Sequence, residues 1–146
     1  MNQTTNDRDP IAPAVQKAYA WINEVSEVLG VEDRQRSYQS LRASLHALRD
    51  RLQVDEAAQL GAELPTVVRG VYFEGWKPAA TPEKHRTVRD FLESLREEVP
   101  GMLPSEAPVA AAAVFEVLQR HVSAGEIGDV KGMLPPPIRE LWPAAS

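Results

Sequence analysis

The chain has 146 residues, of which 43% are hydrophobic, and this size and composition suit one packed domain. Its formal net charge of -5 disfavours binding to the phosphate backbones of nucleic acids. The absence of cysteine excludes disulfide bonds, thiolate metal sites and a cysteine nucleophile. The N-terminal sequence lacks an apolar signal segment, and the longest apolar run, residues 109–115, is too short to span a bilayer, so we expect a soluble cytoplasmic protein.

The first part of the chain predicts a polar tail and two long helices. Residues 1–12 are polar and are expected to be disordered. From Ala14 to Leu29 apolar residues recur at spacings of three and four, which predicts an amphipathic helix that ends at Gly30. Asp33 is the predicted N-cap of the second helix. The apolar face of that helix carries Tyr38, Leu41, Leu45, Leu48 and Leu52.

Two shorter helices and a linker are predicted next. The third helix covers residues 55–61, and it must end before Pro65 because proline disfavours the α conformation at the preceding Leu64. The fourth helix is expected to begin with Pro65 at its first position. Glycines and prolines then mark residues 74–82 as a linker.

The second part of the chain predicts four more helices. The fifth is expected to start at Thr81 as N-cap, and the sixth near Ser105. Ser123 and Glu126 have the spacing of a capping box at the start of the seventh helix, and Pro135 opens the eighth. The predicted stripe of the fifth helix is His85, Val88, Leu92, Leu95 and Val99. No segment alternates as a strand would, so the fold class is an all-α bundle of eight helices.

An internal match indicates that the chain is duplicated. Residues 56–72 and 126–142 align without a gap at an offset of 70 residues, and apolar positions map onto apolar positions outside these segments. We therefore predict two tandem helical repeats, 13–73 and 83–146, joined by the linker 74–82 and packed as one domain with approximate internal two-fold symmetry. The identical pairs in the two segments are Glu56 and Glu126, Leu64 and Leu134, Pro65 and Pro135, and Arg69 and Arg139.

The repeated charges have a structural and a functional interpretation. In the structural one, Glu56 pairs with Arg69 and Glu126 pairs with Arg139, each partly buried within its own repeat. In the functional one, the four side chains converge on a polar pocket at the junction of the repeats and bind a small ligand or a metal ion. The structural interpretation is the prediction, because these residues form no known ligand-binding motif.

The remaining polar residues predict no catalytic, cofactor or metal site. The three histidines, His46, His85 and His121, never have the i, i+4 spacing with which two imidazoles share a metal on one helix face. No Gly-rich phosphate loop or nucleophile elbow is present. A basic series on the second helix is predicted to be a solvated, salt-bridged face. Its members are Arg34, Arg36, Arg42, Arg49 and Arg51.

Three aromatic residues lie within five positions at the start of the linker. Tyr72 matches Trp142 in the repeat and is predicted to be in the core. Phe73 and Trp76 match no core position, so they are the candidate contacts for a partner, and Trp76 is expected to be at least partly exposed.

The chain has two amphipathic helices, then the pattern E-A-x-x-L-x-A-x-L-P-x-x-x-R, and then a Y-F-E-G-W linker before a second copy. With this order of elements it resembles the bacterial domain-of-unknown-function family 2267. The resemblance covers residues 14–143. Its members commonly have glutamine before the Leu-Pro pair, where this chain has Glu63 and Met133. The resemblance implies a small helical bacterial protein with no established activity, and it supplies no catalytic residue.

These observations favour a non-enzymatic protein-interaction module of the bacterial cytoplasm, which binds a protein partner or a second copy of itself. The alternative is a small-ligand or metal-binding protein with a polar site at the junction of the repeats.

Overall fold

The computed structural model describes residues 9–144, and this part of the chain contains eight α-helices, a single 3-10 turn at Pro78–Ala80 and no strand. The helices are α1 (Ile11–Leu29), α2 (Arg34–Arg49), α3 (Val54–Ala62), α4 (Thr66–Phe73), α5 (Val88–Glu97), α6 (Glu106–His121), α7 (Ala124–Met133) and α8 (Pro136–Arg139). The all-α prediction is confirmed. Within residues 9–144 no helix combines the length and the apolar character needed to cross a membrane.

Several helix ends follow the predicted local signals. Gly30 ends α1 with a left-handed φ of 73°, and its N–H donates to the Ser26 carbonyl at 2.8 Å. The Asp33 side chain accepts a hydrogen bond from the Arg36 N–H at 3.1 Å and caps α2. Pro65 lies one position earlier than predicted, because its extended ψ of 156° makes it the N-cap of α4.

The first helix begins earlier than predicted. It starts at Ile11, whose N–H donates to Oδ1 of Asp9 at 2.9 Å, and its first turn accommodates Pro13 because first-turn N–H groups need no intrahelical acceptor. The prediction of a disordered tail is therefore wrong for residues 11–12. Residues 1–8 lie outside the described part of the chain.

The fifth helix begins later than predicted. It starts at Val88 with Thr87 as its N-cap, not at Thr81, and His85 lies outside it. The residues before Val88 stay non-helical because groups on other segments satisfy their backbone. Arg51, for example, donates to the His85 carbonyl at 3.4 Å.

The hydrophobic core is shared by residues from both predicted repeats. Helices α2 and α6 are central, since each packs against the other and against α1 and α5. The Phe115 ring stacks on Trp142 with centroids 4.1 Å apart, and Phe91 lies beside Phe115 at 6.1 Å. Tyr72 and Trp142, the matched aromatic positions, are both buried as predicted. Burial of each large side chain stabilises the fold by about 1.5–3 kcal/mol.

Candidate functional site

An arginine side chain organises the corner between α3 and α4. The Arg69 guanidinium donates from Nε to the Gly61 carbonyl at 3.0 Å, and from Nη2 to the carbonyls of Ala62 at 3.2 Å and Leu64 at 2.9 Å. These carbonyls lie at or just after the end of α3, where the regular helical hydrogen bonds stop, and the Gly61 carbonyl also accepts the Leu64 N–H at 3.1 Å. Arg69 therefore acts as a C-terminal cap that fixes the corner.

The corner between α7 and α8 has the same arrangement. Arg139 donates from Nε to the Lys131 carbonyl at 2.9 Å and from Nη2 to the Leu134 carbonyl at 3.0 Å. Lys131 and Leu134 stand 70 positions after the Gly61 and Leu64 acceptors of the first corner. The recurrence of Arg in the sequence thus corresponds to a recurrent set of backbone contacts.

The predicted pairing of each repeated glutamate with its own arginine is wrong. Neither Arg69 nor Arg139 forms an ion pair within residues 9–144, because both guanidiniums are directed to carbonyl groups. Of the four residues, only Glu56 and Glu126 come together.

Glu56 and Glu126 face each other across the contact between α3 and α7. Each lies in the first turn of its helix, and the two residues are only 6% and 7% exposed. Asp129 is one turn further along α7 and is exposed. One carboxylate oxygen from each of the three lies within 4.8 Å of the other two. We call these three residues the carboxylate cluster.

The surroundings of the carboxylate cluster disfavour ionisation of Glu126. Burial, and next the neighbouring Glu56 carboxyl group, raise the pKa of Glu126 to about 8, and the charges of Glu63 and Asp129 act in the same direction. The Glu126 carboxyl therefore holds a proton at neutral pH unless a cation takes its place.

The start of α7 is capped by residues from both repeats. Ser123 Oγ accepts a hydrogen bond from the Glu126 N–H at 3.3 Å, which is half of the predicted capping box. The other half is not made by Glu126. Instead the Ser123 N–H and Oγ donate to the two carboxylate oxygens of Glu63, at 2.9 and 3.0 Å. Sequence spacing could not identify Glu63 because it lies 60 positions away.

Two basic side chains of α2 hold the end of α4. His46 is buried between the Glu98 carboxylate, 2.9 Å from Nδ1, and the Val71 carbonyl, 2.7 Å from Nε2. Arg49 donates to the carbonyls of Tyr72 and Glu74, both at 2.8 Å. These contacts satisfy carbonyls at the C-terminus of α4 and attach the linker to α2.

The prediction of a solvated basic face is wrong for two of its five arginines, since Arg49 and Arg51 are buried. Arg49 is the last residue of α2 and Arg51 lies two positions beyond it, and both face the chain from the end of α4 to α5, where backbone carbonyls provide acceptors. Burial lowers the pKa of the Arg51 guanidinium, whereas the hydrogen bond to Glu74 raises that of Arg42.

A polar cavity of about 360 Å³ lies beside these side chains. Its charged groups largely pair with one another, as Arg42 does with Glu74 at 2.8 Å and with Glu98. None of the four repeated residues lines it. The residues that line it are Arg42, His46, Arg49, Asp50, Glu74, Gly75, Lys77, Ala80, Thr81, Glu83 and Glu98.

The comparison with known families accounts for almost the whole fold. The model of one family, described as "Uncharacterized conserved protein (DUF2267)", matches residues 18–141, which run from the middle of α1 to the end of the second corner. The chain belongs to this family. No curated protein matches it.

Within this DUF2267 fold, the candidate partner residues Phe73 and Trp76 pack together. Their ring centroids are 5.2 Å apart, and both residues are half-buried against the core. A Cβ atom on Gly61 would overlap the Phe73 ring, so the close contact requires glycine there. The half-burial of Trp76 agrees with the expected partial exposure, but much of the pair contacts its own chain.

A second group of exposed apolar residues lies at the end of α1 and the start of α6. Leu103 and Val109 are 59% and 57% exposed, and Val28 and Val31 are exposed as well. Val109 borders two grooves, of about 230 and 400 Å³, the first with Val31 and the second with Val28. We call these four residues the α1/α6 surface. Sequence analysis missed it, because helical periodicity identifies the core face of α6 and does not distinguish Val109 from the neighbouring alanines.

Proposed function

We propose that this protein is a non-enzymatic interaction module of the bacterial cytoplasm, and that its α1/α6 surface binds an apolar helix of a partner protein. The observation that carries the proposal is the pair of grooves that meet at Val109. Exposed leucine and valine side chains grouped around grooves are typical of surfaces that a partner covers.

The charges beside the grooves favour a basic partner. Glu106 and Glu116 line the grooves, and the only lining cation among the described residues, Arg36, already pairs with Glu106 at 3.4 Å. The chain as a whole carries a net charge of -5. A helix with lysine or arginine beside its apolar residues complements this surface, whereas a second copy of the acidic chain does not.

The arrangement of the polar residues supports a binding role more than catalysis. His46 and Arg49 direct their nitrogens to carbonyls and carboxylates of their own chain, so they position α4 and the linker. We therefore propose no catalytic residue.

The internal duplication remains part of the proposal. We propose that the two halves are tandem repeats related by an approximate two-fold axis. The matched contacts of Arg69 and Arg139 with carbonyls 70 positions apart support this relationship. The α1/α6 surface then belongs to the outside of the duplicated domain, where residues are not constrained by the repeated core.

A polar cavity at the junction favours the second candidate function, which is binding of a small charged ligand. The cavity lies between α2, the linker and Glu98 of the second half. Because Arg42, His46 and Arg49 are already engaged by acceptors of the chain, a ligand would have to displace internal ion pairs. This candidate therefore ranks below the interaction module.

A displayed library of helical peptides tests the proposed function. We expect the selected peptides to have apolar residues at helical spacing flanked by lysine or arginine, and to bind more weakly as salt increases. Val109→Asp should weaken their binding at least about tenfold, because it places a charge where an apolar side chain docks. Val67→Asp changes an exposed valine on α4 and is the matched control, which should retain binding.

Two results would contradict this function. One is a set of selected peptides whose binding is unaffected by Val109→Asp. The other is a wild-type chain that sediments as a dimer and becomes monomeric on Val109→Asp, since the surface would then bind a second copy.

A further inference from the structure

The contact between α3 and α7 contains two fully buried carboxylate oxygens that have no hydrogen-bond partner among residues 9–144. They are Oε2 of Glu56 and Oε2 of Glu126. Within residues 9–144 neither carboxylate takes part in an ion pair. Oxygens in such an environment are unfavourable unless a proton donor or a cation reaches them.

The spacing of the carboxylate cluster matches the coordination sphere of one cation. The three ligand oxygens, from Glu56, Glu126 and Asp129, lie within 4.8 Å of one another. Oxygens bound to one Ca²⁺ at about 2.4 Å can be up to roughly 4.8 Å apart, whereas oxygens bound to Mg²⁺ at about 2.1 Å are at most roughly 4.2 Å apart. Three oxygens that lie within 4.8 Å of one another can therefore share one divalent cation, and Ca²⁺, with its longer and more flexible ligand distances, needs the smaller adjustment of the side chains.

We propose that Glu56, Glu126 and Asp129 form a binding site for a calcium-sized divalent cation between the two halves of the protein. The cluster provides only carboxylate oxygens, which suit hard cations such as Ca²⁺, whereas protein sites for Zn²⁺ and Cu²⁺ usually include imidazole or thiolate ligands. The two buried glutamates bind from the protein side. Asp129 is exposed, so it leaves a path for the ion and room for water in the remaining coordination positions.

The position of the site gives the cation a structural effect. Glu56 lies on α3 of the first half, and Glu126 and Asp129 lie on α7 of the second half. A bound cation would neutralise facing carboxylates and connect the two helices. In the sequence a metal site was only the alternative interpretation of the two glutamates, together with Arg69 and Arg139, because residues 70 positions apart are shown to come together only by the folded chain.

Isothermal titration of the full chain with CaCl₂, after treatment with a chelator, tests this site directly. We expect one Ca²⁺ per chain with a Kd of roughly 10 to 1,000 μM, and weaker binding of Mg²⁺. The melting temperature should rise with Ca²⁺ concentration, because the ion binds the folded chain in preference to the unfolded one.

Variants of the ligands identify the site. Glu56→Gln and Glu126→Gln keep the size of the side chain, remove its charge, and should each weaken Ca²⁺ binding by at least about tenfold. Asp129→Asn changes an exposed residue and should also weaken binding, so it serves if a glutamate variant fails to fold. Glu97→Gln, an exposed acid of α5 outside the cluster, should bind as the wild type does.

The proposal is overturned if the wild type shows neither heat of binding nor a change in melting temperature up to about 10 mM Ca²⁺. The facing glutamates would then share only a proton. Equal Ca²⁺ binding by the wild type and the three ligand variants would overturn it as well, because the ion would bind elsewhere.

Discussion

The two corners of the molecule share their backbone contacts and differ in their side-chain packing. At the corner of α3 and α4, the Tyr72 hydroxyl donates to the Ala57 carbonyl at 2.7 Å. At the corner of α7 and α8, Trp142 stacks on Phe115, and its buried Nε1 has no hydrogen-bond partner in the described part of the chain. The comparison indicates that an arginine at a fixed spacing is enough to fix the backbone, whereas the aromatic position needs only a large ring and tolerates different neighbours.

The helices after the two corners differ as well. Helix α4 has 8 residues, and α8 has 4 and begins among the prolines at 135–137. These prolines occupy the N-cap and the first turn of α8, where missing N–H groups cost no intrahelical hydrogen bond, so they start the helix and do not explain its shorter length. Variants at matched positions can measure how far the two corners are equivalent.

The largest expected effect is truncation of the matched aromatic residues. Tyr72→Ala and Trp142→Ala should each lower the free energy of unfolding by about 3–5 kcal/mol, because both rings are buried in the shared core. Urea denaturation followed by circular dichroism measures the loss. Val67→Ala, at an exposed position of α4, should change stability by less than about 0.5 kcal/mol. A small loss of stability at one corner and a large loss at the other would show that the two corners are not equivalent.

A smaller effect is expected from the arginines. Arg69→Met and Arg139→Met should each lower the free energy of unfolding by about 1–2 kcal/mol, since charge-assisted hydrogen bonds to the carbonyls are lost, although both arginines are exposed and not partly buried as predicted. Arg69→Met should lower the free energy of unfolding at least as much as Arg139→Met, because Arg69 contacts three carbonyls and Arg139 contacts two. Arg89→Met, at an exposed arginine of α5, is the control for loss of positive charge in the same denaturation assay. If the free energy of unfolding is unchanged in both variants, the arginine contacts with the carbonyls are not needed for stability.

Glu63 provides a contact that the second corner lacks, because Met133 stands at the matched position. Glu63→Ala should lower stability by about 0.5–1.5 kcal/mol through loss of the two hydrogen bonds to Ser123. Glu63→Gln retains an acceptor for the Ser123 N–H and should cost less. If thermal melts give the alanine and glutamine variants the same loss as each other, the charge and not the hydrogen bond to the N–H stabilises this contact.

The remaining expected effect is a change in pH dependence at Glu126. Its pKa is raised to about 8 in the folded chain, so the folded state binds more protons than the unfolded state from about pH 5 to 8. Stability should therefore fall as pH rises through this window and level off above it. The fall in stability with pH should be smaller for Glu126→Gln than for the wild type, when both proteins are unfolded in urea with a chelator present. A wild-type curve that rises over the same window would contradict the assignment, since Glu56, Glu63 and Asp129 all oppose ionisation of Glu126.

Local signals in the sequence were sufficient for most of the fold. Gly30, Asp33 and the Leu64-Pro65 pair act through their own backbone or through residues three positions away, so their roles could be predicted from spacing. The start of α5 at Val88 could not be predicted from spacing, because the backbone before it makes its hydrogen bonds with the distant segment that follows α2, as at Asp50 and Arg51.

The candidate site depended on contacts between distant segments. The repeat identified Glu56 and Glu126 as unusual, but the partners predicted for them were wrong. An arginine thirteen positions away has the opposite charge and was expected to pair with each glutamate, whereas the structure brings a second carboxylate to it. The burial of Arg49 likewise depends on the carbonyls at the end of α4, which no helical periodicity reports.

The exposed segment between α4 and α5 has a consequence for how the chain could be divided. Lys77, Lys84 and their neighbours are mostly exposed, while the hydrophobic core takes residues from both sides of this segment. Two polypeptides that end and begin near residue 80 should therefore be largely unfolded alone, because each lacks half of its core. When co-expressed they should assemble by fragment complementation, and the segment would serve only as a covalent tether.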